Sequence, residues 1–244
     1  VLEILPEVDA VVVGEAENTV GEMLSWFETG ARGAPPAGLR VRGQPLRRRP
    51  REHRLDRLAR PARDLVDPGR YRYPLASRPG VATLMTGRGC PGECVFCDKT
   101  VTGSRPRLHG ADRVVDELRE LADDPRVGYA VLFDDDFVAD RERVEAICEG
   151  ILAAGIRLPW KCEARVDAVD ASLLATMHRA GCRLVAMGVE SRHARSLERL
   201  RKGVSPGQIR DAFAAARRVG VDTLAYALVG IPGESAQDAL ATAD

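Results

Sequence analysis

The sequence predicts an α/β fold built on a parallel sheet, and three observations carry that expectation. From residue 80 onward, short apolar runs rich in β-branched residues alternate with amphipathic helical segments. Glycines close the helical segments, and polar residues crowd the carboxyl ends of the apolar runs. Successive β-α units of this kind form a parallel sheet, either open or closed into a barrel.

The elements follow in chain order. VATLM (81–85) is the first strand and runs into TGRGCPGECVFCDKT. The next helix carries Val114, Val115, Leu118 and Leu121 on one face and precedes the strand YAVLF (129–133). A second helix, lined by Val144, Ile147, Ile151 and Leu152, precedes LPWKCEA (158–164). Asp170 caps a third, before CRLVAMGV (182–189). Ser205, Pro206 and Gln208 make a capping box with proline in the first turn, opening the helix before TLAYALVG (223–230). Gly155, Gly181 and Gly220 stop these helices.

The N-terminal third reads differently. VDAVVVG is a short apolar run expected as a buried strand, and NTVGEMLSWFETG places Val20, Met23, Leu24 and Phe27 on one helical face before Gly30. Residues 1–30 hold seven acidic groups and no basic ones, whereas residues 31–80 hold fourteen Arg against four acidic residues. That second stretch is rich in Pro and Gly without a sustained period, which predicts a linker. Its RRRPREHR run is expected as a solvated or domain-contacting face, with contact to an anionic partner the less common meaning. One strand and one helix cannot bury a core, and the chain lacks an initiator Met, so it is expected to begin inside a larger protein. The expected division is 1–30, a domain remnant; 31–78, the linker; and 79–244, the β-α core.

Composition narrows the function. The 244 residues are 45% apolar and 30% charged with zero formal net charge, a globular balance that gives no support to nucleic-acid binding. No apolar run is long enough to span a bilayer and no charged-then-apolar leader is visible, so a cytoplasmic location is expected. Lysine occurs only at 99, 161 and 202, which biased codon usage explains without any functional demand.

The chemistry concentrates in Cys90, Cys94 and Cys97. Their C-x3-C-x2-C spacing offers three soft thiolates from one loop, and Gly87, Gly89, Pro91 and Gly92 let the backbone fold tightly around a single centre. An iron–sulfur cluster is the natural occupant. A structural zinc site would need a fourth ligand, for which only Asp98 or the isolated His109 is at hand, and a fortuitous spacing stays open. Disulfides are disfavoured in a reducing compartment. Cys148, Cys162 and Cys182 sit singly in apolar patterns and read as buried structural thiols, with Cys162 the one that a barrel strand could turn inward. His178 and His193 have no partner at useful spacing.

The loop C-x3-C-x-aromatic-C, with Phe96 at the aromatic position, resembles the hallmark of the radical S-adenosylmethionine superfamily. The resemblance implies an incomplete parallel (β/α) barrel whose sixth strand lies beyond this chain. It implies a [4Fe-4S] cluster held by Cys90, Cys94 and Cys97, with one open iron that chelates the amino and carboxylate groups of S-adenosylmethionine. Reduction then yields a 5′-deoxyadenosyl radical that takes hydrogen from a small-molecule organic substrate, with a reductant such as ferredoxin or flavodoxin as partner. For the cofactor contacts it implies the loop Asp134-Asp135-Asp136, with Asp135 or Asp136 preferred, where many members carry Gly-Gly-Glu. It further implies Glu190, the turn Gly230 to Gly233 with Glu234, and Arg165 on the methionine carboxylate unless Asp167 or Glu163 pairs with it. VDAVVVGEAENTVGEML is similar to the last strand and helix of a Rossmann-like cobalamin-binding domain, and LDRLARPARDLVDPGRY to the connector that follows it, so cobalamin would be bound upstream.

The implied activity is hydrogen abstraction coupled to cobalamin-dependent methyl transfer. Oxidative cyclisation or rearrangement of a tetrapyrrole or natural-product precursor is the alternative within this chemistry, and RNA modification a third that no visible RNA-binding domain supports. From another class, a non-catalytic iron–sulfur or electron-transfer role is opposed by the missing fourth cysteine, since such proteins normally ligate every iron.

Overall fold

The computed structural model describes residue 3, residues 5–76 and residues 78–243. Val1, Leu2, Ile4, Ser77 and Asp244, which fall within the expected divisions, lie outside the described residues. The chain forms two compact units, one of Val1–Pro61 with Asp98–Gly103, the other of Ala62–Cys97 with Ser104–Asp244.

In the first unit, strand β1 (Ala10–Val12) is followed by helix α1 (Glu17–Glu28) and strand β2 (Leu39–Val41). β1 and β2 pair antiparallel, Ala10 opposite Val41 and Val12 opposite Leu39. Two expectations are corrected here. β1 is only half-buried rather than buried, and its partner comes from the stretch expected as a linker, where a three-residue strand is too short to leave a readable period. The face of α1 carrying Val20, Leu24 and Phe27 is exposed, at 37%, 54% and 40%. Thr19, Pro35, Leu39, Leu55 and Leu58 are buried among the described side chains of this unit.

The second unit holds the five expected strands. Strand β3 (Val81–Leu84), a short hairpin of β4 (Gly87–Arg88) and β5 (Arg107–Leu108), helix α2 (Ala111–Asp123), β6 (Tyr129–Leu132), α3 (Arg141–Ala153), β7 (Trp160–Ala164), α4 (Ala171–Arg179), β8 (Cys182–Glu190), α5 (Ala194–Arg199), α6 (Pro206–Val219), β9 (Asp222–Ala227) and α7 (Ala236–Ala243) follow in turn. The sheet has the order β3-β6-β7-β8-β9, every neighbouring pair parallel. β3 and β9 are its edges, and the hairpin β4–β5 and helices α5 and α7 are elements the sequence pattern had not signalled.

One face of the sheet is covered by helices. Val114, Leu118 and Leu121 of α2, Val144, Ile147 and Ile151 of α3 and Leu173, Leu174 and Met177 of α4 pack with Leu132, Trp160, Cys162, Val185 and Met187 into a single core. Burying one such side chain contributes about 1.5–3 kcal/mol. Leu152, expected on that stripe, is 46% exposed, because its neighbour Ile151 takes the core-facing position. The caps form as read: Asp170 accepts from Leu173 N at 2.8 Å, and Ser205 and Gln208 exchange both bonds of the capping box. Gly155, Gly181 and Gly220 adopt φ of 64°, 101° and 83°, a region open to glycine at no steric cost.

Alternation along β7 decides the other face. Trp160, Cys162 and Ala164 join the helix-backed core, so Lys161 and Glu163 point to the opposite side. There Lys161 Nζ meets Glu163 Oε1 at 2.5 Å, and Tyr226 donates its hydroxyl to the same oxygen at 3.2 Å. Lys161 also lies 5.2 Å from the centre of the Tyr73 ring, which stacks on Tyr129. Around β7 and Tyr226 this face of the sheet is therefore polar, whereas the helix-backed face is dry. No helix among the described residues is long and apolar enough to cross a membrane.

Candidate functional site at the carboxyl ends of the strands

The site grows from Thr86, two residues beyond the end of β3. Thr86 is fully buried, and every polar group it owns is engaged. Its amide donates to Asp134 Oδ1 at 2.6 Å and its hydroxyl to Asp134 Oδ2. Its carbonyl accepts from His109 N at 2.9 Å and from Arg143 Nη2 at 2.8 Å. A residue so fully satisfied is rigid. It fixes the direction in which the chain leaves the sheet toward the cysteines.

The cysteine loop is held at both ends. Before it, Gly89 has φ 90° and donates its amide to Asp135 Oδ2 at 2.6 Å. Within it, Val95 N donates to Leu200 O at 3.0 Å and Cys97 N to Cys94 O at 3.2 Å. Cys90 and Cys94 are half-buried and Cys97 is exposed, all three as free thiols. Phe96 is 46% exposed, so its ring is presented outward rather than packed.

Among the described residues, no three His, Cys, Asp or Glu side chains approach closely enough to hold a single metal ion. A cuboidal cluster sets a different requirement, because each thiolate ligates its own iron at a separate corner and the sulfurs stay apart. Gly92 supplies the fit test. A Cβ there would lie 2.7 Å from Arg165 Nη1 and 3.5 Å from Cys90 Sγ. The loop thus passes close against a guanidinium at Gly92, and Arg165 lies within electrostatic reach of Cys90 and Cys94. Three soft donors on one pinned turn beside a cation suit an anionic iron–sulfur group.

The three aspartates after β6 separate into distinct tasks. Asp134 is spent on Thr86, and burial pushes its carboxyl up to about 6 against those hydrogen bonds. Asp135 is exposed and holds the loop through Gly89. Asp136 is buried, which pushes its carboxyl up to about 6 while Arg165 pulls it down. Its Oδ1 is buried without a hydrogen-bond partner. Of the three, Asp136 alone keeps a buried acceptor without a donor.

Arg165 makes an internal pair. Nε and Nη2 each donate to Asp167 at 2.9 Å, and Nη2 also reaches Lys202 O at 3.0 Å. Nη1 faces Gly92. Glu190 ends β8 with φ 62°, and Ser191 N donates to Val189 O at 2.8 Å, so Glu190 is the centre of a γ-turn at positive φ. For a residue with a side chain this backbone costs about 1–3 kcal/mol and persists where the surroundings over-determine it. Glu190 Oε1 accepts from Lys202 Nζ at 2.8 Å, both side chains buried.

After β9, Gly230 and Gly233 have φ of 83° and 76°. Glu234 folds the turn itself, accepting from Gly230 N at 3.1 Å and Ile231 N at 3.3 Å. A Cβ on Gly230 would meet nothing within 4 Å, so space is open above that backbone. Tyr226 and Glu163 face the same side of the sheet. The predicted site residues therefore lie where all five strands end, with Asp134 and Glu234 used to build the scaffold. Thr86, Gly188 and Lys202 are parts that sequence reasoning missed.

Cys148, Cys162 and Cys182 are buried. Cys162 faces the helices rather than the inner face, and burial followed by the neighbouring Cys182 raises its thiol far above the ordinary value. It is not available as an active thiol.

Comparison with known proteins bears on this arrangement. Residues 84–244 match the family profile described as the Radical SAM superfamily. The chain is 32% identical over 244 residues to the uncharacterized methyltransferase PH0819 of Pyrococcus horikoshii, covering 97% of this chain and 52% of that protein. It is 27% identical over 250 residues to an anaerobic magnesium-protoporphyrin IX monomethyl ester cyclase of Cereibacter sphaeroides, covering 96% of this chain and 40% of that one. Among solved structures it is similar to the radical S-adenosylmethionine methyltransferase TsrM of Kitasatospora setae with cobalamin and a [4Fe-4S] cluster bound. The TM-score is 0.76 at 20% identity, covering 98% of this chain and 50% of that chain. The chain spans about half or less of the length of these relatives.

Proposed function

The chain belongs to the radical SAM superfamily, and from that premise we propose that the whole protein is a cobalamin-associated enzyme that methylates a small organic molecule at an unactivated carbon. The observation that carries the proposal is the pinned three-cysteine loop at the carboxyl end of β3, with Asp136, Glu190 and Gly230 at the same end of the sheet. When bound, the [4Fe-4S] cluster and S-adenosylmethionine supply a reductively generated 5′-deoxyadenosyl radical.

The chain's own residues bind and orient. Cys90, Cys94 and Cys97 hold the cluster, while Asp135 and the Leu200 carbonyl fix the loop that carries them. Asp136 offers its unpartnered Oδ1 to the amino group of S-adenosylmethionine. Glu190 accepts from the ribose or the methionine moiety, and the open backbone at Gly230 admits the adenine. Arg165, already committed to Asp167, steadies Gly92 and the cysteines rather than the methionine carboxylate. The organic substrate occupies the inner face near Glu163 and Tyr226, and closing that face to water would protect a radical.

Cobalamin is assigned to a region outside the described residues, and an electron donor such as ferredoxin or flavodoxin is the expected partner, in a reducing cytoplasm that preserves open thiolates. The likeness to a methyltransferase of known cobalamin content supports this reading. Likeness to the cyclase supports a second, oxidative cyclisation without net methylation. The test is anaerobic reconstitution of the full-length protein with iron, sulfide, dithionite and S-adenosylmethionine. The expected result is bound iron and sulfide with release of 5′-deoxyadenosine, both lost in Cys94→Ala. Cluster formation with no 5′-deoxyadenosine would favour a structural or electron-transfer role instead.

A further inference from the structure

Lys202 is one of three lysines in a chain whose other cations are arginine, and it is buried to 7% exposure. Its position is delivered by the end of α5. Arg201 N donates to Glu198 O at 2.9 Å and Lys202 N to Leu197 O at 3.0 Å, while Arg201 takes φ 49°. These bonds make a Schellman turn with Arg201 where glycine is usual and Lys202 directly after it. The same turn serves three neighbours. Leu200 O accepts from Val95 of the cysteine loop, Lys202 O accepts from Arg165, and Lys202 Nζ donates to Glu190.

The pair has been given a seat. A Cβ on Gly188 would collide with both Glu190 Oε1 and Lys202 Nζ, and the β8–β9 register shifts between Gly188 and Glu190. Glycine, a bulge and a strained γ-turn converge to let one ammonium reach one carboxylate. A buried ion pair is weak as a device for stability, and its retention beside a strained backbone points to orientation. Lys202 engages Oε1, and Oε2 accepts from no described residue, so the second oxygen is presented in a fixed direction.

We propose that Lys202 is a positioning residue for S-adenosylmethionine, holding the Glu190 carboxylate against the bare Cα of Gly188 and tying it to the turn on which the cysteine loop rests. This rests on the reading of the site given above. Lys202 touches neither cofactor. It acts through Glu190.

The test uses the full-length protein reconstituted anaerobically, with S-adenosylmethionine as probe. Iron and sulfide content, the electron paramagnetic resonance signal of the reduced cluster with and without S-adenosylmethionine, and the Kd of S-adenosylmethionine are measured. Lys202→Met is expected to keep the iron and sulfide content and the ligand-free signal while weakening the Kd at least tenfold. In a Glu190→Ala background the same change is expected to weaken it no further. Gly188→Ala retains both charges and displaces them, so it is expected to weaken the Kd comparably and decides the matter where Lys202→Met fails to assemble. A Kd within twofold of the wild type in Gly188→Ala and in assembled Lys202→Met overturns the inference. A wild-type cluster whose signal ignores S-adenosylmethionine removes the reading of the site itself, and the inference with it.

Discussion

Replacing Asp134 by asparagine isolates the cost of keeping a carboxylate in the dry end of the sheet. Burial raises this carboxyl from 3.8 to about 6, which corresponds to about 3 kcal/mol between the two protonation states. Because the folded-state value is raised, the group favours the folded state fully below pH 4. That contribution is lost as pH rises through 6, so above pH 7 the wild type carries the whole penalty of a buried anion. Asparagine keeps the shape, accepts from Thr86 N and donates to the Thr86 hydroxyl as the protonated acid does, so it holds the same neutral bonds at every pH. Asp134→Asn is therefore expected to match wild type to within about 1 kcal/mol near pH 4 and to be about 3 kcal/mol more stable at pH 8. Urea unfolding, followed by the fluorescence of buried Trp160 in a Trp26→Phe background, reads the difference at each pH. A difference that does not change between pH 4 and 8, or that changes in the opposite sense, refutes the reasoning, because it would mean that Thr86 and Arg143 outweigh burial.

Three further outcomes are expected. Ser205→Ala removes the capping box of α6 and should cost about 1 kcal/mol, or about 2–4 °C in Tm by calorimetry. Gly80→Ala drives a Cβ into the backbone carbonyl of Arg126 at φ +81°, so urea unfolding should register a loss of about 3 kcal/mol, with the β3–β6 pairing most affected in hydrogen exchange. Glu163→Leu strands the buried Lys161 ammonium and should cost about 3–5 kcal/mol by urea unfolding, whereas adding Lys161→Met should recover most of it.

What the sequence made legible follows its physics. The five strands were readable because each is an apolar run between helices whose stops and caps, Asp170, Ser205 and Gly220, act locally. The cysteine loop was readable because its ligands are close in sequence. The three-residue β2 was not, since so short a segment draws its pairing from Ala10–Val12 far upstream. The tasks of Asp134, Asp135 and Asp136 were likewise hidden, because Thr86 and Gly89, which claim the first two, lie more than forty residues earlier. Lys202 did leave a signal. In a chain so biased toward arginine, two of the three lysines prove to be buried in ion pairs, and that scarcity was the available clue.

Strand order in the large sheet repeats chain order. Each new strand emerging from the ribosome accordingly finds its partner already made, so assembly can proceed one unit at a time. The loop bearing the three thiols is translated early, yet Leu200, whose carbonyl anchors it, arrives about a hundred residues later. The loop therefore gains its anchoring contact only after four of the five strands of the sheet have been made.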